Sequence, residues 1–168
     1  MVLIVTPLSR LDQVVASRRP SHVITLLSPR DELPALPSVA HHLRLGVDDI
    51  AIPTDGLVAP DSRTVEQVLA FAEGWRGEAP MVVHCWAGIS RSTASAFAIA
   101  CARNPDVQEL DIALAMRRAS PSAYPNRRIV ALADEILNRQ GRMLEAVEAM
   151  GGNGMAAEGS PFEVPFGR

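Results

Sequence analysis

The sequence contains little cysteine and few aromatic residues: two of its 168 residues are cysteine and 4% are aromatic. Two cysteines in a chain of this length do not form a disulfide framework, and Cys and His do not recur in pairs at the spacing of zinc ligands. The sequence therefore predicts neither a disulfide scaffold nor a metal site. Any role of Cys85 is that of a free thiol.

Strong charge of one sign and long apolar runs are also missing. The formal net charge is -3 and the 16 basic residues are scattered, so no basic patch marks a surface for nucleic acid or an anionic membrane. No apolar run approaches the roughly 18 residues of a membrane span, and the run at residues 2–5 is too short and lacks the flanking charge of a signal peptide. We expect a cytoplasmic protein with no nucleic-acid and no membrane partner.

What the sequence does contain is an alternation of strand and helix patterns. Apolar runs of strand length occur at residues 2–5, 22–28, 42–48 and 81–84, and helical periodicity separates several of them. Since 48% of the residues are hydrophobic, the chain can bury one sizeable core. These patterns predict an α/β fold, a single domain over residues 1–150 whose central, mostly parallel sheet of four to five strands has helices on both faces.

The end of the sequence differs from the rest in composition. Residues 151–168 lose periodicity and gain Gly and Pro. This composition is typical of a terminal segment without regular structure. We therefore predict a C-terminal tail outside the domain.

The stretch VVHCWAGISRSTASA, residues 82–96, carries the reactive side chains. An apolar strand leads into it, and a run of small residues typical of a buried helix follows. A helix N-terminus offers unpaired amides and the positive end of the helix dipole, and Gly88 permits a tight turn that arranges further amides around an anion. The same field favours the thiolate of Cys85, while the Arg91 guanidinium binds two oxygens of a tetrahedral oxyanion. The stretch therefore predicts a phosphate site that contains a nucleophile.

The pattern His84-Cys85-x-x-Gly88-x-x-Arg91-Ser92 resembles the signature loop of the cysteine-dependent protein tyrosine phosphatase superfamily. Its GISRS ending is more similar to the dual-specificity branch, and to small bacterial members of it, than to the large tyrosine-specific domains. The order of elements over residues 1–150 also matches the compact phosphatase fold. The resemblance implies hydrolysis of phosphomonoesters through a phosphocysteine intermediate, with no cofactor and no metal.

The resemblance also implies a role for each residue of the signature. Cys85 would attack phosphorus, and Ser92 would hydrogen-bond the sulfur and help it leave. His84 would tune the loop from behind without touching the substrate. The phosphate oxygens would be bound by the guanidinium and by the loop amides, contributed by Trp86, Ala87, Gly88, Ile89, Ser90 and Arg91.

The family also uses an aspartic acid on a loop ahead of the cysteine, which protonates the leaving oxygen and then activates water. The loop after the third predicted strand offers three candidates, Asp48, Asp49 and Asp55. We favour Asp49, because it lies where the strand pattern runs out into the long loop. Asp55, which precedes a glycine, would serve if that loop folds back.

Two residues near the signature have alternative roles. Asn126, in the segment YPN, either supports the signature loop, as the resemblance implies, or only caps the helix that follows. Trp86 either lines the rim of the pocket or is buried in a structural role.

The composition of the loop bears on the substrate. Between Cys85 and Arg91 there is no Lys and no further Arg, whereas family members that hydrolyse inositol phosphates tend to have basic residues there. We predict a monomer that acts on a phosphorylated protein or a small phosphomonoester. Phosphotyrosine is the first choice, and phosphoserine and phosphothreonine stay open.

Two other functions are alternatives. A phosphatase-like module could bind phosphate with weak turnover or none, which would require that no aspartate serves as the acid. A sulfurtransferase or an arsenate reductase also uses a loop cysteine, but a reductase needs a nearby resolving thiol. Cys101 follows Arg91 by ten residues on one helix, about 15 Å away, so it is predicted to be a core residue and a poor partner for Cys85.

Overall fold

A computed structural model of the protein describes residues 1–165; the last three positions of the predicted tail, 166–168, lie outside the described residues. The strands are β1 (Leu3–Pro7), β2 (His22–Leu27), β3 (His41–Gly46), β4 (Met81–Cys85) and β5 (Phe162–Val164). The helices are α1 (Leu11–Arg18), α2 (Ser62–Glu73), α3 (Arg91–Arg103), α4 (Glu109–Ala119), α5 (Arg127–Ile136) and α6 (Arg142–Met150). The predicted α/β class and the mostly parallel sheet are confirmed.

The order of the strands brings four loops to one edge of the sheet. That order is β3-β2-β4-β1-β5, and the first four strands are parallel to their neighbours. Pro7 at the end of β1 pairs with Cys85 at the end of β4. Because the carboxyl ends of parallel strands meet at the same edge, the loops that follow β1, β2, β3 and β4 converge there. The signature loop, which follows β4, lies at this edge.

The two faces of the sheet are buried in separate clusters. One face packs against α1, through Ile4, Val23, Val82, Leu11 and Val14. The other face packs against the remaining helices, through residues that include Leu3, Val5, Ile24, Met81 and Val83. Burial on both sides explains why the central strands are continuous apolar runs rather than alternating ones. Helices on both faces were predicted, and the prediction is confirmed.

Helix α3 lies inside the larger cluster. Eleven of its thirteen residues are buried, from Arg91 to Cys101, and it contacts α2, α4, α5, β1 and β4. Its small side chains allow this close packing on every side. The N-terminus of α3 is therefore fixed relative to the strand that carries Cys85. Although most of α3 is buried, no helix within residues 1–165 is both long enough and apolar enough to cross a membrane.

The segment predicted as a tail returns to the sheet. After residues 151–161, which form neither helix nor strand, β5 pairs with β1 in the antiparallel direction, with Val164 opposite Leu3 and Phe162 opposite Val5. This strand was not predicted from the sequence, because three residues between Pro161 and Pro165 are too few to show a periodicity. Proline at both ends is compatible with an edge strand, where one side of the backbone needs no partner.

Candidate active site

The loop between β4 and α3 is held from outside through its carbonyl oxygens. Four of these oxygens accept hydrogen bonds from backbone amides of the turn after β1, the segment before α5 and the C-terminal segment. The pairs are Leu8 N to Trp86 O (3.1 Å), Gly159 N to Ala87 O (2.8 Å), Tyr124 N to Ile89 O (2.9 Å) and Asn126 N to Ser90 O (3.1 Å). Three separate segments therefore fix the outer side of the loop.

The inner side of the loop consists of free amides. Within residues 1–165, no group accepts a hydrogen bond from the amides of residues 87–90. In a trans peptide the N–H points away from the C=O of the same peptide group, so the amides of Ala87, Gly88 and Ser90, which follow engaged carbonyls, face the opposite side. These amides lie beside the N-terminus of α3, where the helix dipole is positive. The loop therefore has the geometry of an anion-binding nest.

Gly88 makes this turn possible. Its φ is +67°, in the region that favours glycine, and a Cβ at this position would lie 2.7 Å from the backbone nitrogen of Pro7. Any other residue would have to displace the end of β1. The glycine predicted from the motif is therefore required both by the backbone conformation and by the close approach of β1.

Cys85 and Ser92 flank the signature loop in sequence and meet through their side chains. Cys85 ends β4 and Ser92 lies in the first turn of α3; both residues are buried, yet Cys85 contributes to the surface of the adjoining cleft. The Cys85 Sγ and the Ser92 Oγ are 3.1 Å apart. At this distance the hydroxyl can donate a hydrogen bond to a thiolate.

Arg91 presents an unused donor at the same place. Its side chain is buried and lines the cleft, and its Nη1 donates to the Val47 carbonyl at 2.8 Å, just beyond the end of β3. Its buried Nε finds no acceptor among residues 1–165. A buried guanidinium nitrogen without a partner is costly, and a bound oxyanion would satisfy it. The position of Arg91 thus points to an anionic ligand.

The nest opens into a cleft with a volume of about 610 Å³. Trp86 is 59% exposed and lines this cleft, so it lies at the rim and is not buried in a structural role. The lining combines the signature loop with residues from four other segments: Asp31, Asp49, Ala51, Cys85, Trp86, Ala87, Ile89, Ser90, Arg91, Tyr124, Pro125, Asn126, Arg127, Gly154 and Ala156.

The three aspartates predicted as acids have different surroundings. Asp49 lines the cleft, and its Oδ1 accepts hydrogen bonds from the Ser90 hydroxyl at 2.7 Å and from the Asn126 amide group at 2.9 Å. Neither Asp48 nor Asp55 is part of the lining. The cleft therefore brings Asp49 together with Cys85 and Arg91.

Asp48 instead holds its own loop together. Its carboxylate accepts from the Ser28 hydroxyl at 2.6 Å and from the Val58 amide at 2.7 Å. These two hydrogen bonds hold the pKa of Asp48 below its usual value, in that order of strength. A carboxyl group that stays ionised cannot deliver a proton, so the environment of Asp48 does not favour an acid role.

Asp31 is a further carboxylate of the cleft that the sequence analysis missed. It lies in the proline-rich loop after β2, and its Oδ2 accepts from the Ser28 amide at 3.1 Å. The signal available was its place after a strand that ends at the same sheet edge as β4. That position identifies the correct side of the sheet but not whether the loop turns towards Cys85.

Asn126 serves both of the purposes considered for it. Its Oδ1 accepts from the Ile129 amide at 3.0 Å, which caps α5, and its backbone amide holds the Ser90 carbonyl. Its Nδ2 donates to Asp49 and, at 3.2 Å, to the Ile50 carbonyl. One side chain thus joins the start of α5, the signature loop and the loop of Asp49.

His84 lies behind the signature loop and is fully buried. Its Nε2 is 2.6 Å from the Thr25 hydroxyl, its Nδ1 is 3.3 Å from the Cys85 carbonyl oxygen, and the same hydroxyl is 2.7 Å from His42 Nε2. Burial lowers the pKa of His84 to about 4, so the ring is neutral near pH 7. Thr25 and His42 were not predicted, because the sequence gives no indication of a hydrogen-bond network that links side chains on three strands.

Within residues 1–165 no group of three or more His, Cys, Asp or Glu side chains is placed to hold a metal ion. Cys101, the other thiol, is buried in the core as predicted. Burial raises its pKa to about 12, and the nearby Glu109 carboxylate adds to the effect.

Comparison with known proteins supports the fold. No family model matches the chain, and no curated protein sequence matches it. Among solved structures, DUSP15 is 23% identical with a TM-score of 0.63, over 90% of this chain and 94% of that one. The human tyrosine phosphatase-like serine/threonine/tyrosine-interacting protein is 19% identical with a TM-score of 0.62, over 82% and 92% of the two chains. Human DUSP28 is also 19% identical with a TM-score of 0.62, over 83% and 97%.

At these identities the similarity is one of fold. The chain has the single-domain α/β fold of the dual-specificity phosphatases, which the resemblance of the signature loop implied. The chemistry depends on the side chains of the cleft, because one fold can carry several functions.

Proposed function

We propose that the protein is a phosphomonoester hydrolase that acts through Cys85. The observation that carries the proposal is a buried thiol beside a nest of free amides, with the unpaired Nε of Arg91 in the same cleft. Thiol, anion nest, guanidinium and carboxylate together match the requirements of phosphoryl transfer to a cysteine. The fold of the dual-specificity phosphatases supports the same conclusion.

In the first step the Cys85 thiolate attacks phosphorus, and a sulfur–phosphorus bond forms as the bond to the leaving oxygen breaks. The loop amides and Arg91 bind the three non-bridging oxygens, whose charge is redistributed in the transition state. We assign the proton on the leaving oxygen to Asp49, which lines the cleft with Cys85. The products of the step are a phosphocysteine, a free alcohol or phenol, and an Asp49 carboxylate.

In the second step water attacks phosphorus and the sulfur–phosphorus bond breaks. The Asp49 carboxylate takes the proton of the attacking water, and Ser92 donates a hydrogen bond to the departing thiolate at the 3.1 Å distance already present. Inorganic phosphate leaves, and Asp49 is protonated again for the next turnover. Both steps use side chains that line or contact the cleft.

The charge of the cleft supports a phosphorylated protein, with phosphotyrosine first, as the substrate. The lining contains two arginines and two aspartates, and Arg127 is paired with Glu148 at 2.7 Å. A multiply phosphorylated ligand would need several free cations, whereas one phosphate needs only Arg91 and the nest. Exposed Trp86 offers an apolar surface for an aromatic ring. The monomeric state and the cytoplasmic location stay predictions.

The proposal is tested by hydrolysis of p-nitrophenyl phosphate and of phenyl phosphate. We expect Cys85→Ser to abolish both activities, whereas Cys101→Ala, a change in the other buried cysteine, keeps them. Asp49→Asn should lower kcat by about 10² to 10⁴-fold for phenyl phosphate and by less for p-nitrophenyl phosphate, whose leaving group needs little protonation. Asp55→Asn, in the same loop but outside the cleft, is the matched control.

Full activity of Cys85→Ser would exclude the proposed nucleophile. If Asp49→Asn behaves like Asp55→Asn, then Asp31→Asn decides whether the other cleft carboxylate is the acid. Binding of tungstate by a wild-type protein without turnover would instead support the phosphate-binding module. A reductase is not favoured, because Cys101 is buried and its raised pKa disfavours the thiolate that a resolving cysteine needs.

A further inference from the structure

Residues 151–165, here called the C-terminal strap, are fixed at both ends. At the start, Arg117 donates to the Gly151 carbonyl at 2.5 Å and to the Met150 carbonyl at 3.3 Å. At the other end, β5 pairs with β1, and Glu163 forms an ion pair with Arg18 at 2.5 Å. A segment held at both ends loses most of the freedom of a terminal tail.

Between these anchors the strap contacts the signature loop directly. The Gly159 amide donates to the Ala87 carbonyl at 2.8 Å, one of the four hydrogen bonds that fix the outer side of the nest. The approach is close: a Cβ on Gly159 would lie 3.1 Å from the Gly88 carbonyl oxygen and 3.1 Å from the Ser122 hydroxyl. Next to it, Glu158 accepts a hydrogen bond from the Ser9 hydroxyl, in the turn after β1.

The strap also lies against Tyr124, another residue of the cleft. A Cβ on Gly154 would be 3.2 Å from the tyrosine ring, and one on Gly152 would be 3.3 Å from it, so both glycines allow the backbone to lie on the ring. The Tyr124 amide in turn holds the Ile89 carbonyl of the signature loop. The strap therefore supports the nest twice, once through Gly159 and once through Tyr124.

Finally, the strap forms part of the cleft surface. Gly154 and Ala156 belong to the lining, together with Trp86 and Tyr124. Gly154 has no side chain and Ala156 has only a methyl group, so this part of the wall leaves the space beside the aromatic residues open. A larger residue here would reduce the volume available to the organic part of a phosphate ester.

We propose that the C-terminal strap is part of the active site. Gly159 is a positioning residue that keeps the oxyanion nest in its binding geometry, and Ala156 with Gly154 forms a wall that selects the leaving group and leaves space for an aromatic one, such as the tyrosine side chain released from phosphotyrosine. The inference rests on the proposed function, because the wall acts on the substrate of that same cleft.

The positioning role is tested with Gly159→Ala, measured by calorimetric binding of tungstate and by hydrolysis of p-nitrophenyl phosphate. The added methyl group meets a backbone carbonyl, so the strap or the loop must shift. We expect tungstate affinity and kcat/KM each to fall about tenfold, since sub-ångström displacement of oxyanion donors is costly. Gly74→Ala is the matched control, because a Cβ there meets its nearest atom at 3.6 Å, an ordinary contact.

If Gly159→Ala binds tungstate as tightly as Gly74→Ala, the positioning role is wrong. Thermal unfolding of both variants separates a local shift from general destabilisation: the proposal requires that the affinity falls at a temperature where both are fully folded. Because tungstate binding needs no turnover, this arm stays informative even if the wild type hydrolyses no phosphate ester, which would overturn the proposed function alone.

The selecting wall is tested with Ala156→Trp against Ala157→Trp, the same change at the adjacent exposed residue that lies outside the lining. The substrates are a phosphotyrosine peptide and phenyl phosphate. We expect Ala156→Trp to raise KM for the peptide about tenfold and KM for the small ester much less, as for a pocket that has lost volume. If the ratio of KM for the peptide to KM for phenyl phosphate is the same in Ala156→Trp and Ala157→Trp, the proposed wall does not select the substrate.

Discussion

A buried cysteine and a buried arginine lie at each end of α3, but only the pair at the N-terminal end lines the cleft. At the N-terminal end, buried Cys85 and Arg91 lie beside free amides, and the Arg91 Nε has no acceptor within residues 1–165. At the C-terminal end, buried Cys101 lies beside Arg139, which donates to the Glu109 carboxylate at 3.0 Å and to the Cys101 carbonyl at 2.9 Å. Under the proposed function, a cysteine and an arginine therefore take part in catalysis at one end of α3 and in packing at the other.

The helix dipole explains why the two ends of α3 favour ligands of opposite charge. The N-terminal amides of a helix attract anions, and the C-terminal carbonyls attract cations. At the C-terminal end of α3 the attracted cation is part of the protein, Arg139, and its charge is balanced by Glu109. At the N-terminal end the anion must come from outside, because no described carboxylate occupies the nest. The loop amides without acceptors distinguish the N-terminal end, because within residues 1–165 a buried guanidinium Nε without a partner also occurs at the C-terminal end, in Arg103.

The largest difference between the ends is expected for their arginines. Arg91→Lys should lower kcat/KM for p-nitrophenyl phosphate about 10³-fold, because an ammonium group cannot supply the planar pair of donors, and should leave thermal unfolding nearly unchanged. Arg139→Lys should do the reverse, with kcat/KM kept and the unfolding temperature lowered. Steady-state kinetics and thermal unfolding of both variants measure the contrast, and equal effects of the two changes on activity would contradict it.

A smaller contrast is expected between the two thiols. At pH 7 iodoacetate should alkylate Cys85 about 100-fold faster than Cys101, since Cys85 borders the cleft, whereas burial and the raised pKa of about 12 keep Cys101 a thiol. Peptide mass spectrometry over time gives both rates. Tungstate should protect Cys85 alone. Modification of both cysteines at one rate would mean that global unfolding, and not the cleft, exposes them.

The site could be predicted where its residues are contiguous in sequence. Residues 84–92 combine a strand end, a glycine with positive φ and a helix start. The geometry of the nest therefore depends on neighbouring residues and could be predicted from the local sequence. Asp49 could be placed as well, because it follows a strand whose end meets the same sheet edge as β4. The fold class followed from apolar runs and periodicities, which depend on local patterns of burial.

Contacts made between distant segments could not be predicted. Three examples are the hydrogen bond from Gly159 to Ala87, the hydrogen bonds of the Thr25 hydroxyl to two histidines and the position of Asp31 in the cleft. Each depends on how distant segments approach one another, which no local sequence pattern indicates. The same is true of β5, which is short and lies between prolines. Glycine and proline in the terminal segment indicated absence of regular structure, but here they allow close approach and edge pairing.

The smallest effect on activity is expected from Glu109→Gln, at the structural end of α3. Glu109 is 3% exposed and accepts from Arg139 and Arg142, so the change leaves buried charge uncompensated and should lower the free energy of unfolding by about 3 kcal/mol. Burial alone would raise the pKa of Glu109, but the hydrogen bond from Arg142 and the charges of both arginines hold it below its ordinary value of 4.5.

Because the folded-state pKa of Glu109 is depressed, its contribution to stability is complete above pH 4.5 and is lost as the pH falls through the folded-state value. Urea unfolding between neutral and acidic pH should therefore show a wild-type loss of stability that is smaller in Glu109→Gln, so that the two curves converge in acid. At neutral pH and without urea, kcat/KM should change by less than about twofold, since the nest is at the other end of the helix. A large loss of activity in this folded variant would show that the two ends are coupled through α3. If the curves of unfolding free energy against pH stay parallel into acid, the Glu109 charge does not stabilise the protein.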